Sequence, residues 1–160
     1  MIHIVPALSG ETLSQARDLF REYARVPGVT PCIEDFEKEV AALPGSYAPP
    51  GGRLLLAREE ISGDHREVVG CGALRKFDQG ACEMKRLYVR PEFRGAGAGR
   101  ELVRKLIEEA QSIGYRRILL DTLPTMKEAH KLYRTLGFHE ISSYQKKPVS
   151  GAFFFELSLR

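Results

Sequence analysis

Apolar residues recur along this chain at two periods, and the switches between them outline its elements. Ile2, Ile4 and Val5 mark a short strand, with His3 between apolar neighbours. Over residues 11–25, Leu13, Ala16, Leu19, Phe20 and Tyr23 fall at helical spacing, with Ser9 as the candidate N-cap. Val26-Pro27-Gly28 stops that run. Ile33, Phe36, Val40 and Leu43 predict a second helix, ended by Pro44-Gly45. Residues 53–59 and 67–77 read as strands around a turn at 62–65, and Asp78-Gln79-Gly80 is the hairpin turn into a strand over 81–89. Leu102, Val103, Leu106, Ile107, Ala110 and Ile113 then share one helix face, and Gly114 closes the helix. Residues 117–121 hold the continuous run Ile118-Leu119-Leu120, the signature of a strand covered on both faces.

Thr125 and Glu128 form a Thr-x-x-Glu capping pattern ahead of a last helix, with Ala129, Leu132, Tyr133 and Leu136 inward and Gly137 at its end. Residues 138–143 and 152–159 are the final strands, around a loop with Pro148 and Gly151. The order β-α-α-β-β-β-α-β-α-β-β predicts an α/β fold with a mixed sheet and helices on both faces. No repeat or linker divides it, so residues 1–160 read as one domain.

Composition narrows the field only slightly. A net charge of +3, from 24 basic and 21 acidic residues, does not by itself argue for a nucleic-acid binder. The basic residues Arg116, Arg117, Lys127, Lys131 and Arg134 are scattered over surfaces without interleaved aromatics, so no nucleic-acid partner is expected. The chain has no apolar run long enough for a membrane span and no signal-peptide pattern at its start. Cys32, Cys71 and Cys82 are odd in number and lack metal-like spacing. They fit a reducing, cytoplasmic setting, with Cys71 and Cys82 as small buried hydrophobes and no metal site.

The chemistry concentrates in Leu87-Tyr88-Val89-Arg90-Pro91-Glu92-Phe93-Arg94-Gly95-Ala96-Gly97-Ala98-Gly99-Arg100. A strand, a short turn and a glycine-rich loop open a helix there, an arrangement that offers backbone N–H groups and a positive dipole end to a phosphate. A P-loop is excluded because the chain contains no Gly-Lys pair. A Rossmann fingerprint fails by one residue, since the spacing is Gly95-x-Gly97-x-Gly99. Asp121 stands where a ribose-binding acid would sit, but the loop lies mid-chain and five residues separate strand from glycine.

Arg94-Gly95-Ala96-Gly97-Ala98-Gly99 instead fits Arg/Gln-x-x-Gly-x-Gly/Ala, and here the sequence resembles the GNAT superfamily of acetyl-CoA-dependent N-acetyltransferases. Residues 84–91 resemble the family's fourth strand, and Ala129-His130-Lys131-Leu132-Tyr133-Arg134-Thr135-Leu136-Gly137-Phe138 resembles its Ala-x-x-Leu-Tyr-x-x-x-Gly-Phe segment. The likeness is clear from Arg53 to Phe138, while the first 50 residues match in element order only.

The resemblance implies a mixed, mostly antiparallel sheet and acetyl-CoA as co-substrate. It implies that the amides of Gly95, Ala96, Gly97, Ala98 and Gly99 hold the pyrophosphate, with Arg94 and Arg100 adding charge. It implies that Leu87, Tyr88 and Val89 pair their backbone with the pantetheine arm, and that an N–H near Val89 polarises the thioester carbonyl. Tyr133 matches the tyrosine that protonates the departing thiolate; a thiol pKa of about 8.5 against about 10 for a phenol makes that chemistry reasonable. Glu83 matches a strand glutamate used as general base. By period two it shares a face with Lys85, Leu87 and Val89, and Lys85 offers it an ion pair instead. His130 and His139 are weaker alternatives, His130 being expected on an exposed helix side. Met126 departs from the family's asparagine and weakens the cofactor contact expected of the helix that carries Ala129.

Direct attack of an amine in a ternary complex follows, with a non-catalytic acyl-CoA sensor as the alternative. The acceptor pocket is expected from residues 26–32 and 144–148, where acids are few and Lys146 and Lys147 add positive charge. A small, amino-acid-like amine with an acidic group is the expected acceptor. A homodimer through a sheet edge or helix face is compatible with the pattern.

Overall fold

The computed structural model describes residues 1–29, 33–148 and 151–159. Its elements are β1 (Ile2–Pro6), α1 (Gly10–Ala24), α2 (Ile33–Ala42), β2 (Arg53–Ser62), β3 (His65–Lys76), β4 (Ala81–Val89), α3 (Ala98–Ile113), β5 (Arg117–Thr122), α4 (Lys127–Thr135), β6 (His139–Ile141) and β7 (Phe153–Ser158). Short 3-10 turns at Gly45–Tyr47 and Pro91–Phe93 complete the order, which is the one that periodicity predicts.

The seven strands form one sheet in the order β1-β2-β3-β4-β5-β7-β6. The β4–β5 pairing is parallel, and the other described pairings are antiparallel. Helices cover both faces. On one, Leu102, Val103, Leu106 and Ala110 of α3 and Tyr133 of α4 pack against Leu55, Val69, Cys82, Met84, Ile118, Leu120 and Phe155. On the other, Leu13, Ala16, Leu19 and Phe20 of α1 and Phe36 and Val40 of α2 meet Leu54, Leu56, Cys71, Ala73 and Tyr88. Ile118, Leu119 and Leu120 are all buried, as a strand between two helical layers requires. Cys71 and Cys82 are free, buried thiols whose pKa burial pushes up to about 12, so they serve as packing groups.

Glycine places the stops of α3 and α4. Gly114 adopts φ 108, and its N–H and that of Tyr115 both return to Ala110 O at 3.1 Å, the capping expected at a helix C-terminus.

Four local expectations are corrected. Ser9 occupies the N-cap position of α1 but its side chain makes no cap bond; Thr12 Oγ1 donates back to Ser9 O at 2.8 Å instead. The Thr125–Glu128 capping box does not form, because α4 starts one residue too late for that register, with Met126 at the N-cap. The sixth strand is only three residues long, ending at Ile141. His130 is buried rather than exposed: its ring sits 5.0 Å from Phe153 and 5.7 Å from Phe155, and Nε2 bonds Leu123 O at 3.0 Å.

Candidate active site

A count mismatch between two strands builds the site. Cys71 pairs with Tyr88 and Ala73 with Lys85, so β3 takes two steps where β4 takes three. The extra residue makes a β-bulge at Arg86, which adopts φ 61, a left-handed conformation that costs a non-glycine residue roughly 1–2 kcal/mol. Surroundings hold it there. Arg86 Nε and Nη2 donate to Glu39 of α2 at 2.9 and 3.0 Å, its guanidinium lies 5.9 Å from the Phe36 ring, and Cys71 Sγ donates to its carbonyl at 3.3 Å.

The bulge corrects the expected strand face. Cys82 and Met84 belong to the α3 side, but beyond the bulge it is Leu87 and Val89 that pack there, while Tyr88 faces α1 and α2. Glu83 therefore shares its face with Lys85 but not with Leu87 or Val89. The reason is that one inserted residue inverts a period-two pattern.

Beside the bulge the two parallel strands part. The β4–β5 ladder runs only from Ala81↔Arg117 to Glu83↔Leu119. From Met84 to Val89 the β5-facing edge of β4 carries no ladder bond among the described residues. The resulting cleft is a cavity of about 160 Å³. Lys85, Arg86 and Leu87 line it from β4, Asp121 and Thr122 from β5, and Tyr133 from α4. Tyr23, Gly28, Val29 and Phe36 close it from the α1–α2 side, and Leu123, Met126 and Ala152 from the opposite side. Of the expected acceptor segments, residues 28 and 29 reach it; Cys32 lies outside the described residues, and Lys146 and Lys147 are exposed elsewhere.

At the end of β4, the Pro91–Phe93 turn leads into the glycine loop. Gly95 and Gly97 take φ 93 and 92, and a Cβ built on either meets nothing within 4 Å. The first bond of α3 runs from Glu101 N–H to Gly97 O at 3.0 Å. Ahead of it, the amides of residues 95–100 have no backbone acceptor among the described residues. Six successive N–H groups without a backbone acceptor at a helix N-terminus are an arrangement suited to an anion. Arg94 Nε donates to Val89 O at 2.9 Å, which ties the loop to the strand end. Ala98 is buried in the α3 core and Gly99 packs between Val89 and Leu132, so only the front of the loop is open. Arg100 is half-buried beside it, and Ala129 packs against the same core from α4.

Tyr133 ends its side chain in the cavity. Its ring packs 5.6 Å from Phe138 and 5.9 Å from Phe155, and its hydroxyl bonds no described residue. Burial, reinforced by the nearby Tyr23 and Asp121, raises its pKa well above the usual phenol value, so it holds its proton across neutral pH.

Glu83 stands differently. It is 2 % exposed and does not line the cavity. Arg75 donates to Oε1 from Nε at 3.0 Å and from Nη2 at 2.8 Å, and Tyr144 Oη donates to Oε2 at 2.6 Å. Lys85 Nζ lies 3.9 Å from Oε2 and donates to Asp121 Oδ1 at 3.1 Å. Sequence reasoning had singled out neither Asp121 as a cavity residue nor Tyr144 as a partner of Glu83. The first signal was present, since Asp121 ends an apolar strand with an isolated charge.

The comparisons with known proteins agree with this fold. A family model described as acetyltransferase (GNAT) matches residues 13–138. A protein of Schizosaccharomyces pombe known only as an N-acetyltransferase is 35 % identical over 150 residues, covering 93 % of this chain and 90 % of that one. N-acetylaspartate synthetase of Danio rerio is 34 % identical over 86 residues, covering 53 % of this chain and 30 % of that one. Among solved structures, a GNAT-family acetyltransferase from Staphylococcus aureus superposes with a TM-score of 0.80 at 19 % identity over the whole of both chains. A GNAT acetyltransferase from Elizabethkingia anophelis with acetyl-CoA bound gives 0.68 at 20 % identity, covering 99 % of this chain and 98 % of that one. Fold, mixed sheet and glycine loop thus meet in one assignment: the chain belongs to the GNAT family of acetyltransferases and is an acyltransferase that uses acetyl-CoA as co-substrate.

Proposed function

We propose that the protein acetylates the primary amine of a small acceptor carrying an acidic group, by direct attack within a ternary complex. The observation that carries this reading is the junction of six amides without backbone acceptors with a charged cleft that Tyr133 enters. The loop from Arg94 through Gly95, Ala96, Gly97, Ala98 and Gly99 to Arg100 would hold the pyrophosphate. The unladdered edge of Leu87, Tyr88 and Val89 would hold the pantetheine arm, with Met126 and Ala129 flanking it. Acetyl-CoA supplies an activated acyl group. The chain's own share is to bind, orient and move protons. Tyr133, kept protonated by burial, donates to the sulfur that leaves. Glu83 anchors the cleft floor; as a base it would work only by relay through Tyr144, whose hydroxyl it accepts.

The size of the cleft, small beside the roughly 300–1,000 Å³ of pockets for drug-sized ligands, favours a small acceptor. Lys85 and Arg86, set against the single acid Asp121, leave its lining net positive, which favours an acidic group on the acceptor. The partial likeness to a relative named for N-acetylaspartate synthesis points the same way. The free thiols Cys71 and Cys82 suit a reducing cytoplasm, and no described helix is long and apolar enough to cross a membrane. The test is thiol release from acetyl-CoA with a panel of amines. Faster release with acidic amino acids than with polyamines or basic peptides is expected. A preference for polycations would overturn the acceptor assignment, and no release with any amine would overturn the reading as a whole.

A further inference from the structure

An amine acceptor arrives in water as an ammonium ion, so the cleft needs an anion to receive it and take its proton. Among the described residues that line the cleft, Asp121 is the only acid, beside the cations Lys85 and Arg86. Arg86 is already paired with Glu39 through two hydrogen bonds. Glu83 sits behind the wall with both oxygens engaged. We infer that Asp121 is the carboxylate that binds the acceptor's ammonium and removes its proton, and that Lys85 is the positioning residue that fixes it. This rests on the acetyl-transfer reading above and adds a catalytic residue to it.

The geometry supports the assignment in three ways. Asp121 lies one residue from the end of β5, past the point where the β4 ladder stops, so its side chain opens on the cleft and is 23 % exposed. Lys85, 12 % exposed, donates to Oδ1 at 3.1 Å, while Oδ2 has no partner among the described residues. One oxygen is thus anchored and the other is left for the substrate. Tyr23 and Tyr133 line the same cleft as Asp121, which places the base and the proposed acid around one small volume.

The step balances. The ammonium gives one proton to Asp121 Oδ2. The freed nitrogen lone pair forms the C–N bond at the acyl carbon while the C–S bond breaks. The sulfur leaves with the electron pair and takes the Tyr133 proton, and the nitrogen's second proton restores Tyr133. Asp121 then returns its proton to water. The charged and titratable groups around Asp121 are Lys85 on β4, Tyr23 on α1, Tyr133 on α4 and Tyr144 after β6, with Glu83 beyond Lys85.

The test compares the intact enzyme with Asp121→Asn, Asp121→Glu, Glu83→Gln, Lys85→Met and Lys85→Arg. Asp121→Asn keeps the shape and the Lys85 contact, so it should fold and bind acetyl-CoA with unchanged affinity by calorimetry. Its kcat/KM for the amine should fall by about 100-fold or more, with loss of the acid limb of the pH profile and partial rescue by Asp121→Glu. Lys85→Met should lower kcat/KM for the amine with acetyl-CoA affinity unchanged, and Lys85→Arg should restore it, whereas Glu83→Gln should keep the acid limb. Asp121→Asn turnover within about threefold of the parent, or loss of the limb in Glu83→Gln alone, would overturn the inference. A parent enzyme that turns over no amine would instead remove the acetyl-transfer reading, and this assignment with it.

Discussion

Replacing Gly97 by alanine separates the loop's role in folding from its role in binding. Gly97 takes φ 92 and ψ 6 at the N-cap of α3, and an added Cβ would meet nothing within 4 Å. Stability therefore changes through the backbone alone. A left-handed alanine costs roughly 1–2 kcal/mol, and the stiffer unfolded chain offsets roughly 0.4–1 kcal/mol of that. The net, about 1 kcal/mol, should lower the melting temperature by roughly 2–4 °C. Binding should suffer more. The methyl group would occupy the open side of the amide cradle, and losing one N–H bond to a charged phosphate, worth roughly 1.5–3 kcal/mol, weakens acetyl-CoA affinity by about 10- to 150-fold. Calorimetric titration with acetyl-CoA, beside a thermal melt, reads both numbers. Gly63→Ala is the control, since that residue has φ 54 and equally empty surroundings in the β2–β3 turn; it should lower the melting temperature alike and leave affinity intact. If Gly97→Ala bound acetyl-CoA as tightly as the parent, the loop would be a turn and not a phosphate site.

Further outcomes follow from the charged and aromatic groups. Tyr133→Phe should lower kcat by about 100-fold or more with acetyl-CoA affinity and melting temperature nearly unchanged, because its hydroxyl bonds no described residue; equal turnover would remove it from the chemistry. With its pKa raised by burial, Tyr133 should add no alkaline limb to kcat below pH 10, and a limb that vanishes in Tyr133→Phe would contradict this. Arg75→Met strands the buried Glu83 charge and should cost about 2–3 kcal/mol, below the usual loss for a broken buried pair, because Arg75 is 36 % exposed and Lys85 remains 3.9 Å away; denaturant unfolding measures it. Burial lowers the His130 pKa, so the neutral ring belongs to the fold. Its stability contribution is present above the unfolded value of about 6.5 and is lost as pH falls through the lower folded value. A melting temperature that falls less below pH 6.5 in His130→Gln than in the parent would show this.

The legibility of the site in the sequence differed residue by residue. The glycine loop was readable because its function is carried by the backbone, and glycine spacing reports backbone geometry directly. Tyr133 was readable as a motif position, but not as a cleft residue, because a tyrosine on an apolar helix stripe looks the same in either role. The face shared by Glu83 was misread because a period-two rule assumes an unbroken ladder, and nothing in Lys85-Arg86-Leu87 announces an extra residue. Arg86 is a bulky side chain at positive φ, and the contacts from Glu39, Phe36 and Cys71 account for it. Burial of His130 was missed for a related reason: its partners, Leu123 O and the rings of Phe153 and Phe155, come from distant or irregular segments.

The bulge at Arg86 makes β4 a matter of parity. Were Arg86 taken into a regular ladder instead of a bulge, every side chain from residue 87 onward would change sides, and Leu87 and Val89 would point at the helices that now receive Tyr88. One residue of surplus thus decides which layer owns the end of the strand. Removing that residue would restore a regular ladder with Leu87 and Val89 still facing α3, whereas keeping it in a regular strand would turn the aliphatic end away from α3.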